Sequence, residues 1–337
     1  MNRAAEARVA IIGGGFSGVL LARALAPVAA VTVFDKSRGL GGRMATRRVA
    51  PFQFDHGSPS FTARSAEFLA FLEPLQQQGL LRPWQGKVVS LLADGRTAKR
   101  LWFETHWVAC PGMSTLVKAL ADGLDLRLAS EVLPLEGEGP PWRLHSSTGE
   151  ELGEFDWVIS TAPAPQSARL LAPWSTTPVP WHAVPTEACH ALLLGSEQPW
   201  LLGWIAAKVH EGPLAWLWVD SSKPGRDASR SCLVAHTSAA WSASVLEAAP
   251  DTLALPLQQE VSRLTGVDFS GASHVAVHRW RLARATAPEQ PAPRIDWRTQ
   301  LVACGDFSCA PRVESLWWQA RELAATLRPA LALLAAR

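Results

Sequence analysis

Near its N-terminus the chain reads Arg8-Val-Ala-Ile-Ile-Gly-Gly-Gly-Phe-Ser-Gly18, and this stretch decides the fold. Residues 8–12 form a short apolar run rich in β-branched side chains, which predicts a strand. Residues 16–26 follow a helical pattern that ends before Pro27, and Val31–Phe34 predicts a second strand. A strand, a glycine turn, a helix and another strand in this order are typical of a parallel sheet in an α/β domain.

The glycine turn has the spacing of a dinucleotide-binding loop. Gly13, Gly15 and Gly18 allow a tight turn, a close backbone approach to a pyrophosphate, and close helix–sheet packing. The helix opens with Phe16 and Ser17, whose backbone N–H groups are available to phosphates. Asp35 follows the second strand, where a carboxylate accepts hydrogen bonds from a ribose. These features predict a bound adenine dinucleotide, either NAD or FAD.

The next loop favours FAD. A Gly41-Gly42-Arg43-Met44 stretch resembles the second flavin signature of amine-oxidase-like flavoproteins. We expect Arg43 and the loop backbone, with Lys36 and Arg38 before it, to neutralise the pyrophosphate. Further along, Asp306 follows the last apolar strand, and Arg312 and Val313 open the closing helix. An aspartate in this position binds the ribityl hydroxyls in flavoproteins of this class.

The chain resembles the bacterial renalase-like FAD-dependent oxidoreductases over nearly its whole length. The segments that carry the resemblance are Phe34–Arg47, Phe54–Gly57, Phe61–Arg64, Trp107-Val108, Pro111–Ser114, Thr161–Gln166, Ser222–Arg226, His278–Arg281, Gly305-Asp306 and Arg312–Glu314. The resemblance implies noncovalent FAD and an α/β, two-domain flavoprotein of p-hydroxybenzoate-hydroxylase type. Such a fold joins a Rossmann-like FAD domain to a mixed-sheet substrate domain with helices. It also implies that Val132 lies near the adenine.

The same resemblance implies a reaction. Renalases oxidise dihydro isomers of NAD(P)H to NAD(P)+, passing hydride to the flavin and then electrons to oxygen. Loss of hydride aromatises the dihydropyridine ring, so the protein needs no base, and its work is positioning and water exclusion. We therefore expect a small-molecule substrate and oxygen as acceptor.

The pattern of elements predicts a cofactor domain that is split across the chain. We assign residues 1–62, 106–165 and 296–337 to the FAD-binding domain, and residues 63–105 and 166–295 to the substrate domain. Within the second domain we predict a helix over 251–265. The pattern over 124–135 predicts a strand, and a closing helix is expected from Pro311 to about residue 327.

No catalytic residue is certain from the sequence, but five side chains are candidates for the substrate face. They are Trp280, Phe61, His56, Trp317 and Trp318. Core packing is the competing interpretation for the aromatic residues, and a structural role for the histidine. Lys223 and Arg226 either guide a phosphate-bearing substrate or form a solvated Lys-Pro-Gly-Arg turn.

Three departures from the renalase pattern leave other functions open. Pro59 and Ser60 stand where the family has Gln and Tyr, Leu282 replaces an aromatic residue, and the closing helix lacks the usual glycines. One alternative is therefore a flavin amine oxidase or dehydrogenase with another substrate. Because the chain has 16 Trp and no Tyr, any aromatic cage for an amine would need Trp. The other alternative is a flavin-binding protein without turnover.

Composition excludes several classes. The net charge of +2, without a long basic run, argues against a nucleic-acid partner. No apolar run reaches about 18 residues, which argues against a membrane span. The five cysteines include no Cys-x-x-Cys pair and no metal-ligand spacing, so we expect a reduced, cytoplasmic protein without a metal site.

Overall fold

The computed structural model describes residues 6–136, 139–171, 184–286 and 292–335. Backbone contacts divide the chain into two compact units. The first contains Met1–Gly42, Val117–Thr186 and Arg284–Arg337, and the second contains Arg43–Leu116 and Glu187–Ala283. Segments 43–62 and 106–116, which the sequence-based boundaries place with the cofactor domain, belong to the second unit. The assignment of cofactor and substrate to the units stays a prediction.

The described residues form seven helices and twenty strands. The helices are α1 (Phe16–Leu25), α2 (Ala66–Gln77), α3 (Ser114–Leu120), α4 (Ala164–Leu171), α5 (Ala239–Ser244), α6 (Pro250–Thr265) and α7 (Val313–Ala335). The strands are β1 (Arg8–Ile12), β2 (Ala30–Phe34), β3 (Thr46–Val49), β4 (Phe52–Asp55), β5 (Phe61–Thr62), β6 (Leu81–Pro83), β7 (Val88–Leu91), β8 (Thr97–Arg100), β9 (His106–Ala109), β10 (Asp125–Arg127), β11 (Trp142–His145), β12 (Glu151–Phe155), β13 (Trp157–Ser160), β14 (Thr186–Ser196), β15 (Ala206–Val209), β16 (Leu214–Val219), β17 (Ser231–Thr237), β18 (His274–Ala285), β19 (Arg294–Asp296) and β20 (Leu301–Ala303).

The first unit is built on a six-stranded sheet in the order β10-β2-β1-β13-β20-β19. All pairs are parallel except the one between β19 and β20. Strand β1 lies inside the sheet between β2 and β13, which is why Val9, Ala10 and Ile11 are all buried. The carboxyl ends of β1, β2 and β20 lead into the glycine turn, Asp35 and Asp306, so the predicted cofactor residues meet at one sheet edge.

The second unit is built on a seven-stranded mixed sheet in the order β18-β14-β17-β16-β15-β7-β8. Its β15–β7 pair is parallel, and the pairs β14–β17 and β16–β17 are antiparallel. Helix α6 has apolar residues at helical spacing, and Leu253, Leu257, Val261 and Leu264 are buried in one core with Leu192, Leu217 and Leu233 of the sheet. Gly266 ends this helix in the left-handed conformation, with a φ of 70°.

Two smaller sheets of the second unit position the predicted substrate-face residues. Strands β3 and β4 form an antiparallel pair in which Thr46 lies opposite Asp55. His56 therefore comes directly after a paired strand, which constrains its backbone on the N-terminal side. Strands β5, β9 and β6 form the other sheet, with Phe61 opposite Trp107.

The α/β fold, with a Rossmann-like domain and mixed sheets, is confirmed. The helix over 251–265 is also confirmed, as α6. The strand over 124–135 is wrong beyond Arg127, because the chain continues without a ladder and makes only an isolated bridge from Val132 to Ser146. The closing helix runs longer than expected, to Ala335. No helix among the described residues is both long and apolar enough to cross a bilayer.

Candidate active site

The turn between β1 and α1 leaves no room for side chains at Gly13 and Gly18, two of the three glycines of the dinucleotide-binding spacing. A Cβ on Gly18 would lie 1.9 Å from the Gly13 carbonyl oxygen, and a Cβ on Gly13 would lie 2.5 Å from Thr161 Oγ1. Gly13 also has a φ of 121°, which side chains disfavour. Gly15 differs, because no non-neighbouring residue in the described part of the chain lies within 4 Å of its hypothetical Cβ. Its backbone therefore faces open space at the N-terminus of α1.

That helix N-terminus suits an anion. Gly15 caps α1 without a side-chain hydrogen bond, and the first turn contains no acidic residue. The N–H groups of Phe16, Ser17 and Gly18 are among those for which a helix provides no internal acceptor. Together with the helix dipole, these groups would suit a phosphate.

Asp35 is held in place by the glycine turn itself. Its Oδ2 accepts a hydrogen bond from Gly14 N at 2.6 Å, and its Oδ1 accepts one from Ser37 N at 2.7 Å. A carboxylate oxygen has two lone pairs, so each oxygen retains capacity for a hydroxyl donor. The arrangement is what ribose recognition requires. Lys36 and Arg38 lie exposed in the turn that follows.

The second glycine loop lies against the first. Gly41 N donates to Gly14 O at 3.0 Å, and Gly41 forms an isolated parallel bridge with Gly15. Gly42 has a φ of 52°, and its Cβ would approach the Gly15 Cα to 3.3 Å. Arg43 and Met44 follow in a short 3-10 turn, in which Arg43 is half-buried and Met44 is buried. The backbones of the two glycine loops therefore lie next to each other.

The end of β20 carries the third predicted element. Asp306 is buried, and its Oδ2 accepts a hydrogen bond from Ala285 N at 2.8 Å. Gly305 has a φ of 148°, and its N–H donates to Gln319 Oε1 on α7 at 2.9 Å. Arg312 lies exposed just before α7, and Val313 begins the helix half-buried. Val132 is buried with Ala10 and Phe34 in the core of the first unit.

In the second unit, a compact aromatic group surrounds His56. The His56 ring lies 5.1 Å from the Trp280 ring at an angle of 31°, and 4.6 Å from the His278 ring at 90°. The His56 carbonyl accepts two hydrogen bonds, from Trp280 Nε1 at 2.9 Å and from His236 Nε2 at 3.1 Å. Backbone and ring contacts together therefore fix the orientation of the Trp280 ring.

The histidines of this group are neutral at neutral pH. Burial, with a contribution from His278, lowers the pKa of His56 to about 4. Burial likewise lowers the pKa of His236 to about 4, and its Nδ1 accepts a hydrogen bond from Trp218 Nε1. Burial also lowers the pKa of His278. The aromatic group is thus an uncharged surface and not a cationic one.

The other three substrate-face candidates have packing contacts of their own. Phe61 is buried on β5 and packs 6.2 Å from Phe68 of α2, which is ordinary core packing. Trp317 and Trp318 contact each other edge to face at 4.8 Å, and the Arg321 guanidinium lies over both rings. These contacts account for the two tryptophans without any ligand.

Two family models match this chain. Residues 11–75 match the NAD(P)-binding Rossmann-like domain, and residues 102–300, more than half of the chain, match the flavin containing amine oxidoreductase family. The chain belongs to the flavin containing amine oxidoreductase family. It is a flavoprotein oxidoreductase, and its cofactor is FAD, as the second glycine loop predicts.

Solved structures share the fold at low sequence identity. A putative protoporphyrinogen oxidase from Exiguobacterium sp. 255-15 has a TM-score of 0.77 and 15% identity, covering 96% of this chain and 99% of that one. An engineered triple mutant of putrescine oxidase has a TM-score of 0.73 and 14% identity, covering 96% and 99%. An oxidoreductase from Methanosarcina mazei has a TM-score of 0.68 and 12% identity, covering 94% and 100%.

The residues of this flavin oxidoreductase fit the FAD that its family implies. The open space at Gly15, the uncapped start of α1 and the doubly anchored Asp35 match a pyrophosphate and a ribose. We expect Gly13–Gly18 and Gly41–Met44 to hold the diphosphate, and Asp306 to hold the ribityl chain. These residue assignments stay predictions.

The sequence did not reveal a buried ionic cluster next to His56. Asp55, Asp220, Lys223 and Arg226 form it, and each of their side chains is at most 4% exposed. Asp55 accepts hydrogen bonds from Lys223 Nζ at 2.9 Å and Arg226 Nη2 at 2.7 Å. The solvated-turn interpretation of Lys223 and Arg226 is therefore wrong, because burial and carboxylates surround both cations.

The cluster also anchors the backbone that carries His56. Asp55 Oδ1 accepts hydrogen bonds from Thr46 Oγ1 at 2.6 Å and Met113 N at 2.9 Å, and Asp55 N donates to Asp220 Oδ2 at 2.6 Å. Burial alone would raise the pKa of Asp55, but Lys223 and Arg226 together lower it. Burial raises the pKa of Asp220, and the neighbouring Asp55 adds to that effect.

Alanine substitutions at the glycine turn should separate folding from cofactor binding. We expect Gly15→Ala to cost at most about 1 kcal/mol of stability, as a less favourable N-cap, while weakening FAD binding about tenfold or more. Gly18→Ala should cost about 3 kcal/mol or more, because its Cβ would overlap the Gly13 carbonyl. Denaturant unfolding of the apoprotein and fluorescence titration with FAD measure the two effects.

Gly271→Ala, at an exposed glycine with open space around its Cβ position, is the control. Equal FAD affinity for Gly15→Ala and Gly271→Ala would refute the proposed cradle.

Removing the charge of Asp55 should strongly destabilise the second unit. Asp55→Asn leaves Lys223 and Arg226 with less compensation in a buried site, which we expect to cost about 3–5 kcal/mol in the free energy of unfolding. Urea unfolding followed by circular dichroism measures this cost. Asp94→Asn breaks an exposed pair with Arg96 and should leave the unfolding midpoint unchanged. Similar midpoints for the two variants would contradict the role of the cluster.

The buried histidines should make stability depend on pH. The pKa of His56 and of His236 is about 6.5 in the unfolded chain and about 4 in the folded protein. The unfolded chain therefore binds more protons in this window, and stability is lost as the pH falls from 6.5 to 4. His56→Gln should reduce that loss by about 3 kcal/mol. Unfolding free energies between pH 7 and 4.5 test this, with His210→Gln at an exposed histidine as the control. A pH dependence of His56→Gln that matches wild type would contradict the assignment.

Proposed function

We propose that this family member oxidises a small reduced nitrogen heterocycle by hydride transfer, with dihydro isomers of NAD(P)H as substrates and oxygen as acceptor. The renalase-like resemblance supports this substrate class. The uncharged group of His56, His278 and Trp280 is the observation that carries the proposal. We place the substrate ring against this group.

The neutrality of these side chains suits a dihydropyridine. Hydride loss converts the ring to an aromatic cation, so no ionised side chain has to remove a proton. When bound, FAD supplies the acceptor for the hydride, and overall a dihydropyridine, oxygen and one proton give a pyridinium and hydrogen peroxide. An imidazolium beside the ring would oppose the positive charge that develops there. The lowered pKa values of His56 and His278 avoid that repulsion.

The protein's own contribution to the reaction is then to orient the substrate ring. Trp280 offers a flat indole whose Nε1–H is bound to the His56 carbonyl at 2.9 Å. A ring held in this way cannot rotate without breaking this partly buried hydrogen bond. A planar substrate stacked on it would therefore meet a surface of fixed orientation, which is the positioning that hydride transfer needs.

The cysteines support noncovalent cofactor binding. All five are free thiols. Burial raises the pKa of Cys304 to about 12, although it lies directly after β20 and two residues before Asp306. A neutral thiol is a poor nucleophile for attachment to a flavin. The p-hydroxybenzoate-hydroxylase type of fold remains part of the same proposal.

Amine oxidation is the second candidate, and the family match favours it. An uncharged aromatic surface such as that of Trp280 and His56 can also accept a neutral amine or, by cation–π contact, a cationic one. The Pro59, Ser60 and Leu282 departures from the renalase pattern point in the same direction. The two candidates differ in which reductant the enzyme accepts.

Anaerobic mixing of the yellow holoenzyme with reductants distinguishes the candidates. We expect borohydride-generated dihydro isomers of NAD and NADP to bleach the flavin absorbance rapidly, and a panel of amines to do so slowly or not at all. Faster bleaching by an amine would replace the first candidate with the second. A flavoprotein bleached by neither class would indicate a flavin-binding protein without turnover.

A pair of variants then tests the aromatic group. Trp280→Leu should slow bleaching by the dihydro isomers about tenfold or more, because it removes both the flat surface and the bond to His56. Trp216→Leu is the matched control, since Trp216 is also a half-buried strand tryptophan stacked on a neighbour, in this case Trp218. Equal rates for the two variants would mean that Trp280 does not contact the substrate.

A further inference from the structure

The two most exposed large apolar side chains among the described residues lie at the same end of the seven-stranded sheet. Leu201 is 91% exposed and Phe103 is 90% exposed. Leu101, two residues before Phe103, is 55% exposed. Large apolar side chains are unfavourable in water, and several of them in one region mark an interaction site. Leu101, Phe103 and Leu201 are referred to below as the apolar patch.

The strand register brings the residues of the patch to one end of the sheet. Val88 pairs with Arg100 on one side and with Ala206 on the other, so the end of β8 and the start of β15 flank the start of β7. Ile205 N also donates to Lys87 O at 2.8 Å. The patch residues follow β8 or precede β15 by a few positions, and they therefore extend from neighbouring strands.

The segment that carries Phe103 is anchored on both sides of this residue. Before it, the half-buried Trp102 ring stacks on the His106 ring at 3.6 Å. After it, the Glu104 carboxylate accepts a hydrogen bond from Arg64 Nη2 at 2.9 Å. The exposure of Phe103 is therefore a fixed feature of the surface, because both of its neighbours are held by side-chain contacts.

The charge around the patch is positive. Three cations lie at the same strand ends, namely Lys87, Lys99 and Arg100. Lys87 and Lys99 are exposed, and Arg100 is half-buried. The carboxylates of segments 97–104 and 197–205 are Glu104, which is ion-paired with Arg64, and Glu197. An anionic surface would complement this end of the sheet.

The size and shape of the patch favour a bilayer over a protein partner. Three side chains expose a few hundred Å² at most, whereas a stable protein interface buries about 800 Å² on each side. A side chain that is 90% exposed, such as Phe103, projects from the surface. A protein partner would need a matching hole for it, whereas a fluid bilayer interface needs none. Apolar insertion and attraction of cations to anionic lipids then add to each other.

We propose that this end of the second unit docks on the surface of an anionic phospholipid bilayer. Leu101, Phe103 and Leu201 enter the interface, and Lys87 and Lys99 contact the headgroups. The docking is peripheral, so it requires no membrane-spanning helix. The proposal does not depend on the substrate proposed above, because it rests on the surface of the second unit alone.

Co-sedimentation of the FAD-loaded full chain with lipid vesicles tests the docking. We expect binding to vesicles of phosphatidylcholine mixed with phosphatidylglycerol to be about tenfold tighter or more than binding to pure phosphatidylcholine. This binding should weaken as the salt concentration rises, because salt screens the attraction between the lysines and the headgroups. Absence of binding to the anionic vesicles, or equal binding to both kinds, would overturn the proposal.

Polar substitutions in the patch locate the contact. Phe103→Ser and Leu201→Ser should each weaken binding to the anionic vesicles about tenfold, because each removes a large apolar side chain from the interface. Leu255→Ser, at an exposed leucine of α6 in the same unit, is the matched control and should bind like wild type. All three side chains are exposed, so the variants should keep the FAD absorbance and the unfolding temperature of wild type. Wild-type affinity in both patch variants would refute the patch as the contact.

A pair of charge variants tests the headgroup contact. Lys99→Gln should weaken binding to the anionic vesicles about fivefold, which is the affinity that one cation contributes near an anionic surface. Arg96→Gln changes the net charge equally at the other end of β8, and its effect should be smaller. Equal effects of the two variants would show attraction to the net charge of the protein and would contradict this orientation on the bilayer.

Sedimentation velocity without lipid distinguishes the bilayer from a second copy of the chain. We expect wild type and Phe103→Ser to have the same oligomeric state, because the patch is not a contact between copies. A dimer that forms in wild type and is lost in Phe103→Ser would assign the patch to self-association and would overturn docking on a bilayer.

Discussion

The approach of α1 to the Gly13 carbonyl is the constraint on which the first unit depends. A single added carbon at Gly18 would lie 1.9 Å from that oxygen, so the helix can start where it does only because residue 18 has no side chain. The same close approach brings the N-terminus of α1 over the end of β1 and aligns Gly14 N with Asp35. The backbone of Gly41 then bonds to Gly14, which stacks the second glycine loop on the first. One steric condition therefore sets the positions of the start of α1, Asp35 and the second glycine loop, to which we assign the phosphates, the ribose and the flavin.

The second unit depends on a set of buried charges. Asp55 is completely buried, yet its carboxylate accepts four hydrogen bonds, two of them from cations. Removing a carboxylate from water is costly unless such partners replace the water. Here the partners come from three separate stretches of chain, so the carboxylate cross-links them. The backbone of the next residue, His56, is thereby held in position. Its carbonyl oxygen accepts hydrogen bonds from Trp280 and His236 and so orients both side chains.

The two units differ in how much of their structure could be predicted from the sequence. The strand, glycine turn, helix and Asp35 lie within 28 residues of one another, and each has a local signature in residue type and spacing, so both the Rossmann-like fold and the FAD cofactor were predictable. The ionic cluster has no such signature, since Asp55 bonds to residues 165 to 171 positions away. A Lys-Pro-Gly-Arg stretch has the composition of a surface turn, and only the tertiary fold places its cations beside a buried aspartate. The strand expected over 124–135 ends at Arg127 for a similar reason, because Val132 and Leu135 pack into the core without a neighbouring strand.

The end of β20 shows how a departure from a family pattern can be compensated. The renalase pattern that the sequence resembles opens the closing helix with glycines, whereas this chain has side chains there, and one of them, Gln319, is buried. Its Oε1 accepts the Gly305 N–H and its Nε2 donates to Ser308 Oγ, so one amide bonds to two residues of the turn around Asp306. Gly305 itself still has a backbone angle that favours glycine. The conformation of this turn is therefore maintained by a side chain of α7, and Asp306 keeps its bond to Ala285 N. A closing helix without these glycines can thus still support the carboxylate that we expect to bind the ribityl chain.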